Sequence, residues 1–157
     1  MANLTGAQEV FHSDTSIVDS SQLAPLGSRA RDINGNEYVY LQGVGSTLAG
    51  SWVVYDESYG TTLAIANEVG PVAIAMAAVN ATTEYGWYQV LGKNTVALND
   101  GAVAADKALY LTAAAGYVDD ADVAGDAISG AASMAQSSGS TVTVMIAYPF
   151  VHDIAFD

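Results

Sequence analysis

An all-β fold, a single compact barrel or sandwich of short antiparallel strands behind an extended N-terminal arm, is the class that these 157 residues predict. Three observations predict it. Apolar residues alternate with polar or small ones through most of the chain, which is the period of a strand. Glycine, asparagine and aspartate punctuate it with turn signals every dozen or so residues, and helical periodicity is almost absent. The expected division is an arm over residues 1–25 and a β-rich domain over residues 26–157.

Residues 1–25 are dominated by Ser, Thr, Asp and Gln, with only sparse apolar positions at Val10, Phe11, Ile17, Val18 and Leu23. They read either as a disordered tail or as an arm that docks on a neighbouring subunit, with Phe11-His12 and Ile17-Val18 as its anchors. Residues 28–33 and 37–42 flank Asn34-Gly35, a strong hairpin signal between β-rich runs. Residues 43–50 form a glycine-rich connection. Residues 51–55 and 61–65 make a second pair around a turn in which Gly60 is expected to supply the positive φ.

The centre of the chain is residues 70–98. Val72, Ile74 and Met76 point to one side of a strand and Ala73, Ala75 and Ala77 to the other, so both faces are expected to be covered. After a polar loop at residues 80–84, residues 85–91 carry the aromatic and β-branched content of a pleated surface. Gly92-Lys93-Asn94 reads as a hairpin turn, with residues 95–98 as the return strand. Trp52 and Trp87 are the expected core anchors, Trp87 lying beside a glycine that lets another backbone approach.

Asn99-Asp100-Gly101 marks a further turn, residues 107–112 a compact strand, residues 113–116 an alanine-rich bend and residues 117–126 an acidic loop. Residues 125–135 fit a strand or a short helix, and their glycines favour a strand with a bulge. Residues 141–148 are a strand expected to close at Pro149, which cannot donate to a ladder.

Charge is lopsided: four basic residues, Arg29, Arg31, Lys93 and Lys107, face seventeen acidic ones for a formal net of −13. Direct nucleic-acid binding is disfavoured, because phosphate recognition draws on clustered Lys and Arg. Arg29 and Arg31, two apart, project from one face of a strand toward an acidic partner or an acidic neighbour in the same fold. With no cysteine there is neither a disulfide framework nor a thiolate metal site. The N-terminus lacks the basic start and apolar core of a signal peptide, and no apolar run is long enough to span a bilayer. The mean hydropathy of +0.26 comes from alanine and valine spread through alternating segments.

Reactive chemistry is sparse. His12 and His152 lie near opposite ends of the chain, beside Asp14 and Asp153, without a spacing that specifies a nucleophile and base, so no catalytic residue is expected. Asp119, Asp120, Asp122 and Asp126 miss the EF-hand offsets and read as a solvated loop rather than a metal site. Asn3 and Asn80 match the glycosylation tripeptide. Tyr38, Tyr40, Trp52, Tyr55, Tyr85, Trp87 and Tyr88 offer either a carbohydrate-stacking face or, with greater weight, core and subunit contacts.

Taken in order, several segments resemble the capsid decoration, or structural cement, proteins of tailed bacteriophages. These are Leu26-Gly27, the Asp-Ile-Asn-Gly-Asn-Glu-Tyr-Val-Tyr run of residues 32–40, and Leu48-Ala49-Gly50 leading to Trp52-Val53-Val54-Tyr55. They continue with Val72-Ala73-Ile74-Ala75, residues 85–90 with Gly92, residues 107–112, residues 126–130 and Tyr148-Pro149-Phe150. The likeness covers about residues 26–151. It implies a non-enzymatic protein of the outer capsid surface, made in the host cytoplasm, often trimeric and bound to the major capsid protein. No cofactor, metal, nucleic acid or membrane is implied. Phe11, Ile17 and Val18 would then be arm anchors, and Arg29 and Arg31 would pair with acidic groups on the shell or an adjacent subunit. The alternatives are a carbohydrate-binding or host-attachment module, a small hydrolase, and a halophilic structural domain without a phage connection.

Overall fold

The structure, a computed structural model, describes residues 14–152. The expectations for Phe11, His12, Asn3 and Asp153 lie outside the described residues. Ten strands follow in order: β1 (Arg29–Arg31), β2 (Glu37–Gln42), β3 (Trp52–Tyr55), β4 (Thr61–Leu63), β5 (Gly70–Ala75), β6 (Tyr85–Leu98), β7 (Ala108–Leu111), β8 (Val118–Asp119), β9 (Ala127–Ser133) and β10 (Thr141–Val151). The fold is all-β, and no helix occurs among the described residues.

Every named pairing is antiparallel, and the strands make one sheet in the order β1-β2-β6-β5-β10-β9-β7-β8, with β3 attached to β5 and β4 to β3. The sheet does not close into a barrel. It is sandwich-like because it folds back on itself. β6 pairs with β2 through its first half, touches β5 only at Gln89 and Tyr88, and pairs with β10 through its second half.

Alternation along the strands sorts the core into three clusters. Trp52, Val54, Val72 and Ile74 turn toward Leu109, Leu111, Ile128 and Ile146. Val53, Ala73 and Ala75, the intervening residues of β3 and β5, turn the other way onto Val39, Leu41, Tyr88 and Val90. Tyr38, Tyr40 and Trp87, on the remaining face of β2 and β6, pack with Ala24 and Leu26. Both faces of β3 and β5 are thus covered, as large-small alternation from Val72 to Ala75 requires. Met76 departs from the pattern and joins the third cluster.

Three local expectations are corrected. Gly92 does not turn the chain: residues 85–98 are one strand, and Gly92, at φ +105°, forms an irregularity within it. Its missing Cβ makes room for the Asn36 side chain, and the buried Gln89 and Asn94 amides bond one another at 2.9 Å across the bend. The positive φ in the turn between β3 and β4 falls on Tyr59 (+63°), not on Gly60, and the Tyr59 ring fills the space beside Gly27 that a Cβ there would take. Pro149 does not close β10. The register with β9 shifts between Ile146 and Phe150, so proline sits where no ladder bond is needed, and pairing resumes at Phe150 with Pro71 and Ser129. Residues 127–133 are a strand, as their glycines favoured.

Candidate functional site

The hairpin of β1 and β2 is set by Asp32. Its carboxylate accepts the backbone N–H groups of Asn34 and Asn36 at 2.9 and 3.0 Å, the Asn36 amide at 2.8 Å and the Tyr38 hydroxyl at 2.9 Å. Burial alone would raise its pKa, and these donors outweigh burial and hold it below the usual carboxylate range. Gly35 adopts φ +83° and donates to the Asp32 carbonyl, closing the turn.

Arg31 stands opposite Glu37 in register, and Arg29 lies on the same side of β1. Arg31 donates to Glu37 Oε2 at 2.9 Å, Arg29 approaches Oε1 at 3.7 Å, and the Tyr148 hydroxyl donates to Oε2 at 2.9 Å. Burial pushes the Glu37 pKa up. The bonds from Arg31 and Tyr148 and the charge of Arg29 more than offset that, leaving it lowered. Both arginines therefore meet an acidic neighbour in their own fold. Their side chains stay 42% and 60% exposed, and such pairs contribute only about 0–1 kcal/mol, so the guanidinium groups remain open to a further partner. Tyr148 reaches Glu37 from a strained backbone, at φ +47°, on the bulge of β10 opposite Gly130.

The described part of the arm, residues 14–25, lies on its own chain. Asp19 and Tyr85 exchange two backbone hydrogen bonds of 2.9 Å, the Tyr40 hydroxyl donates to Asp19 Oδ2 at 2.6 Å, and Ala24 is buried against Tyr40 and Trp87. This leaves Ile17 44% and Val18 36% exposed, with Leu23 also outward. Ile17 sits by Gly86 and the arginines by Glu37, so the two groups of predicted contact residues occupy opposite ends of the β2–β6 ladder. Trp52 and Trp87 are both buried.

An open cleft of about 760 Å³ separates the two hairpins, lined by Arg29, Tyr55, Asp56, Tyr59, Val69 and Pro71. The Tyr55 and Tyr59 rings stack at 6.4 Å. Composition alone gave no sign of this cleft, because its walls come from three separate segments. Beside it, Glu68 Oε2 is buried without a hydrogen-bond partner, and burial raises the pKa of the group. A raised folded-state pKa means stability that is full at low pH and lost as pH rises through the folded value. Glu68→Gln is expected to melt above the wild type at pH 7, with the difference shrinking as the pH falls through the carboxylate range. Thermal melts against pH read this directly.

The other sequence candidates are occupied locally. The His152 ring stacks on Phe150 at 4.4 Å. Asp119 accepts the Ala121 N–H, Asp120 the Ala104 N–H, and buried Asp126 the Asn67 N–H at 2.6 Å. Among the described residues, no group of three or more His, Asp or Glu is placed to hold a metal ion. Of the aromatic set, Tyr38, Tyr40, Trp52, Trp87 and Tyr88 are buried, while Tyr55 and Tyr85 are half-buried.

No family model matches the chain, no curated protein is significantly similar to it, and no solved structure matches it significantly.

Proposed function

We propose that this chain is a non-enzymatic virion protein that binds the outer surface of a phage head and stabilises contacts between major capsid protein subunits, as a homotrimer on the shell. One observation carries the reading beyond the resemblance. Trp52, Trp87, Tyr38, Tyr40 and Tyr88 are spent on cohesion between layers, while the arm turns aliphatic side chains, Ile17, Val18 and Leu23, outward. Such a surface suits protein docking better than sugar stacking. The segments that resemble decoration proteins include β2, β3, β5 and β7 and the ends of β6, β9 and β10, so the likeness follows the scaffold. The very short edge strand β1 and the covering of β8 by the bridge from Asn99 to Val118 are compatible with a protein crowded on a shell without aggregating.

The arm sets how the reading is tested. Residues 14–25 cover the cluster of Tyr40 and Trp87, so deleting them would remove part of the fold along with any contact. The informative variant is Ile17→Asp with Val18→Asp, which leaves Asp19 and its bonds in place. Occupancy on empty capsids, measured by pelleting, is expected to fall about tenfold or more with an unchanged melting temperature, as for loss of an apolar contact centre. Unchanged occupancy would count against it.

A second reading, a carbohydrate-binding or host-attachment module, is favoured by the stacked Tyr55 and Tyr59 beside Arg29 and Asp56 in the open cleft. It predicts a change in tyrosine fluorescence with glycans that Tyr55→Ala abolishes.

A further inference from the structure

We infer that the basic edge strand β1 is a self-association surface that receives the acidic β7–β8 end of a second copy of the chain. β1 and β8 are the two ends of the strand order. Charge is divided between them. Arg29 and Arg31 lie on β1, and Lys93 adjoins the same hairpin, its N–H donating to Asn36 Oδ1 at 3.2 Å. Three of the chain's four basic residues therefore gather there. The acids of the hairpin itself, Asp32 and Glu37, are bonded internally; of the two across the cleft from Arg29, Asp56 accepts the N–H groups of Ser58 and Gly60, and Glu57 is exposed. The other end carries Asp100, Asp106, Asp119, Asp120 and Asp122, with Lys107 as the one basic residue near them. The bonds from Tyr40 N to Ser28 O and from Asp32 N to Asn36 O turn even positions of β1 toward β2. Alternation then leaves the backbone N–H and C=O groups of Arg29 and Arg31 facing outward.

The surroundings of β1 suit a protein contact. Ile33 is fully exposed at the hairpin tip, and Met145 and Tyr148 are exposed on the adjoining β10. Arginine, tyrosine and methionine are enriched at interfaces. At the acidic end like charges crowd one another: burial, with the neighbouring Asp100, Asp120 and Asp126, raises the pKa of Asp119 against the bond that it accepts from the Ala121 N–H. Joining unlike patches makes a heterologous contact, which closes into a ring when the rotation permits. The inference rests on the assembly part of the reading above, not on capsid binding. A protein that stays monomeric yet pellets with capsids removes it and leaves that reading's capsid binding standing, and an assembling protein that never pellets does the reverse.

The test is the mass of the full chain by light scattering across a concentration series, at about 50 mM and about 500 mM salt, since screening shortens from roughly 14 to 4 Å between them. Assembly is expected at low salt and its loss at high salt. Arg29→Glu with Arg31→Glu, and separately Asp100→Arg with Asp122→Arg, should each weaken self-association at least tenfold. An equimolar mixture of the two variants should regain association at least to a mixed dimer, since only contacts between unlike variants match and a three-membered ring would keep one like-charged contact; that gain also establishes that both are folded. A monomer at every low-salt concentration, assembly indifferent to salt and to both variants, or a mixture that stays dissociated would overturn the inference.

Discussion

Trp52→Ala is expected to lower stability by about 3–5 kcal/mol, the cost typical of emptying a large buried aromatic site. In a chain of this size that corresponds to roughly 10–15 °C in melting temperature. Trp52 is fully buried at the centre of the largest cluster, among Ile74, Leu109, Val118 and Ile146. It is also tied by hydrogen bonds. Its backbone N–H donates to Gly116 O at 3.0 Å, and its indole Nε1–H donates to Leu98 O at 3.2 Å, joining β3 to the end of β6. Trp52→Phe separates the two contributions. It keeps most of the ring and removes the indole donor, so it should cost less than alanine but more than its lost volume alone, because Leu98 O loses its indole partner. Calorimetry on the three proteins measures both.

Gly50→Ala is the second large effect, expected at about 3 kcal/mol or more. Gly50 has φ +90°, and an added Cβ would overlap the carbonyl oxygen of Val96, which is backbone and cannot swing aside. Relief requires moving β6 or the bonds that Gly50 makes, its N–H to Ala75 O at 2.7 Å and its carbonyl from Leu98 N at 3.0 Å. Gly35→Ala is the control. Gly35 has a similar φ, +83°, but open space where the methyl would go, so it should show only the backbone term of about 1 kcal/mol. Equal losses at the two positions would mean that the steric overlap contributes nothing.

The sequence carried the local devices of this fold and hid the non-local ones. Asn34-Gly35 between β-rich runs identified its hairpin, and the large-small alternation from Val72 to Ala75 identified a strand covered on both faces. Gly92 misled because a positive φ inside a strand and a turn ask for the same residue. Only the pairing of β6 with β10, some fifty residues on, tells them apart. Pro149 misled for the converse reason: the bulge that excuses it depends on β9. At the candidate site, the shared face of Arg29 and Arg31 was legible from spacing, and Glu37 is near in sequence. Tyr148, which completes that network, is 111 residues from Glu37 and could not be assigned to it from the sequence. The same holds for residues 14–25, whose polar composition hides an anchor made by Asp19 on Tyr40 and Tyr85.

Saturation binding to empty capsids, followed by pelleting and quantification of bound chains per shell, tests the central proposal most directly. Capsid decoration predicts co-pelleting that plateaus at a stoichiometry set by the symmetry of the shell, with a sharp loss for the Ile17→Asp, Val18→Asp protein. A chain that remains in the supernatant at every concentration, with capsids whose decoration sites are vacant, would contradict it.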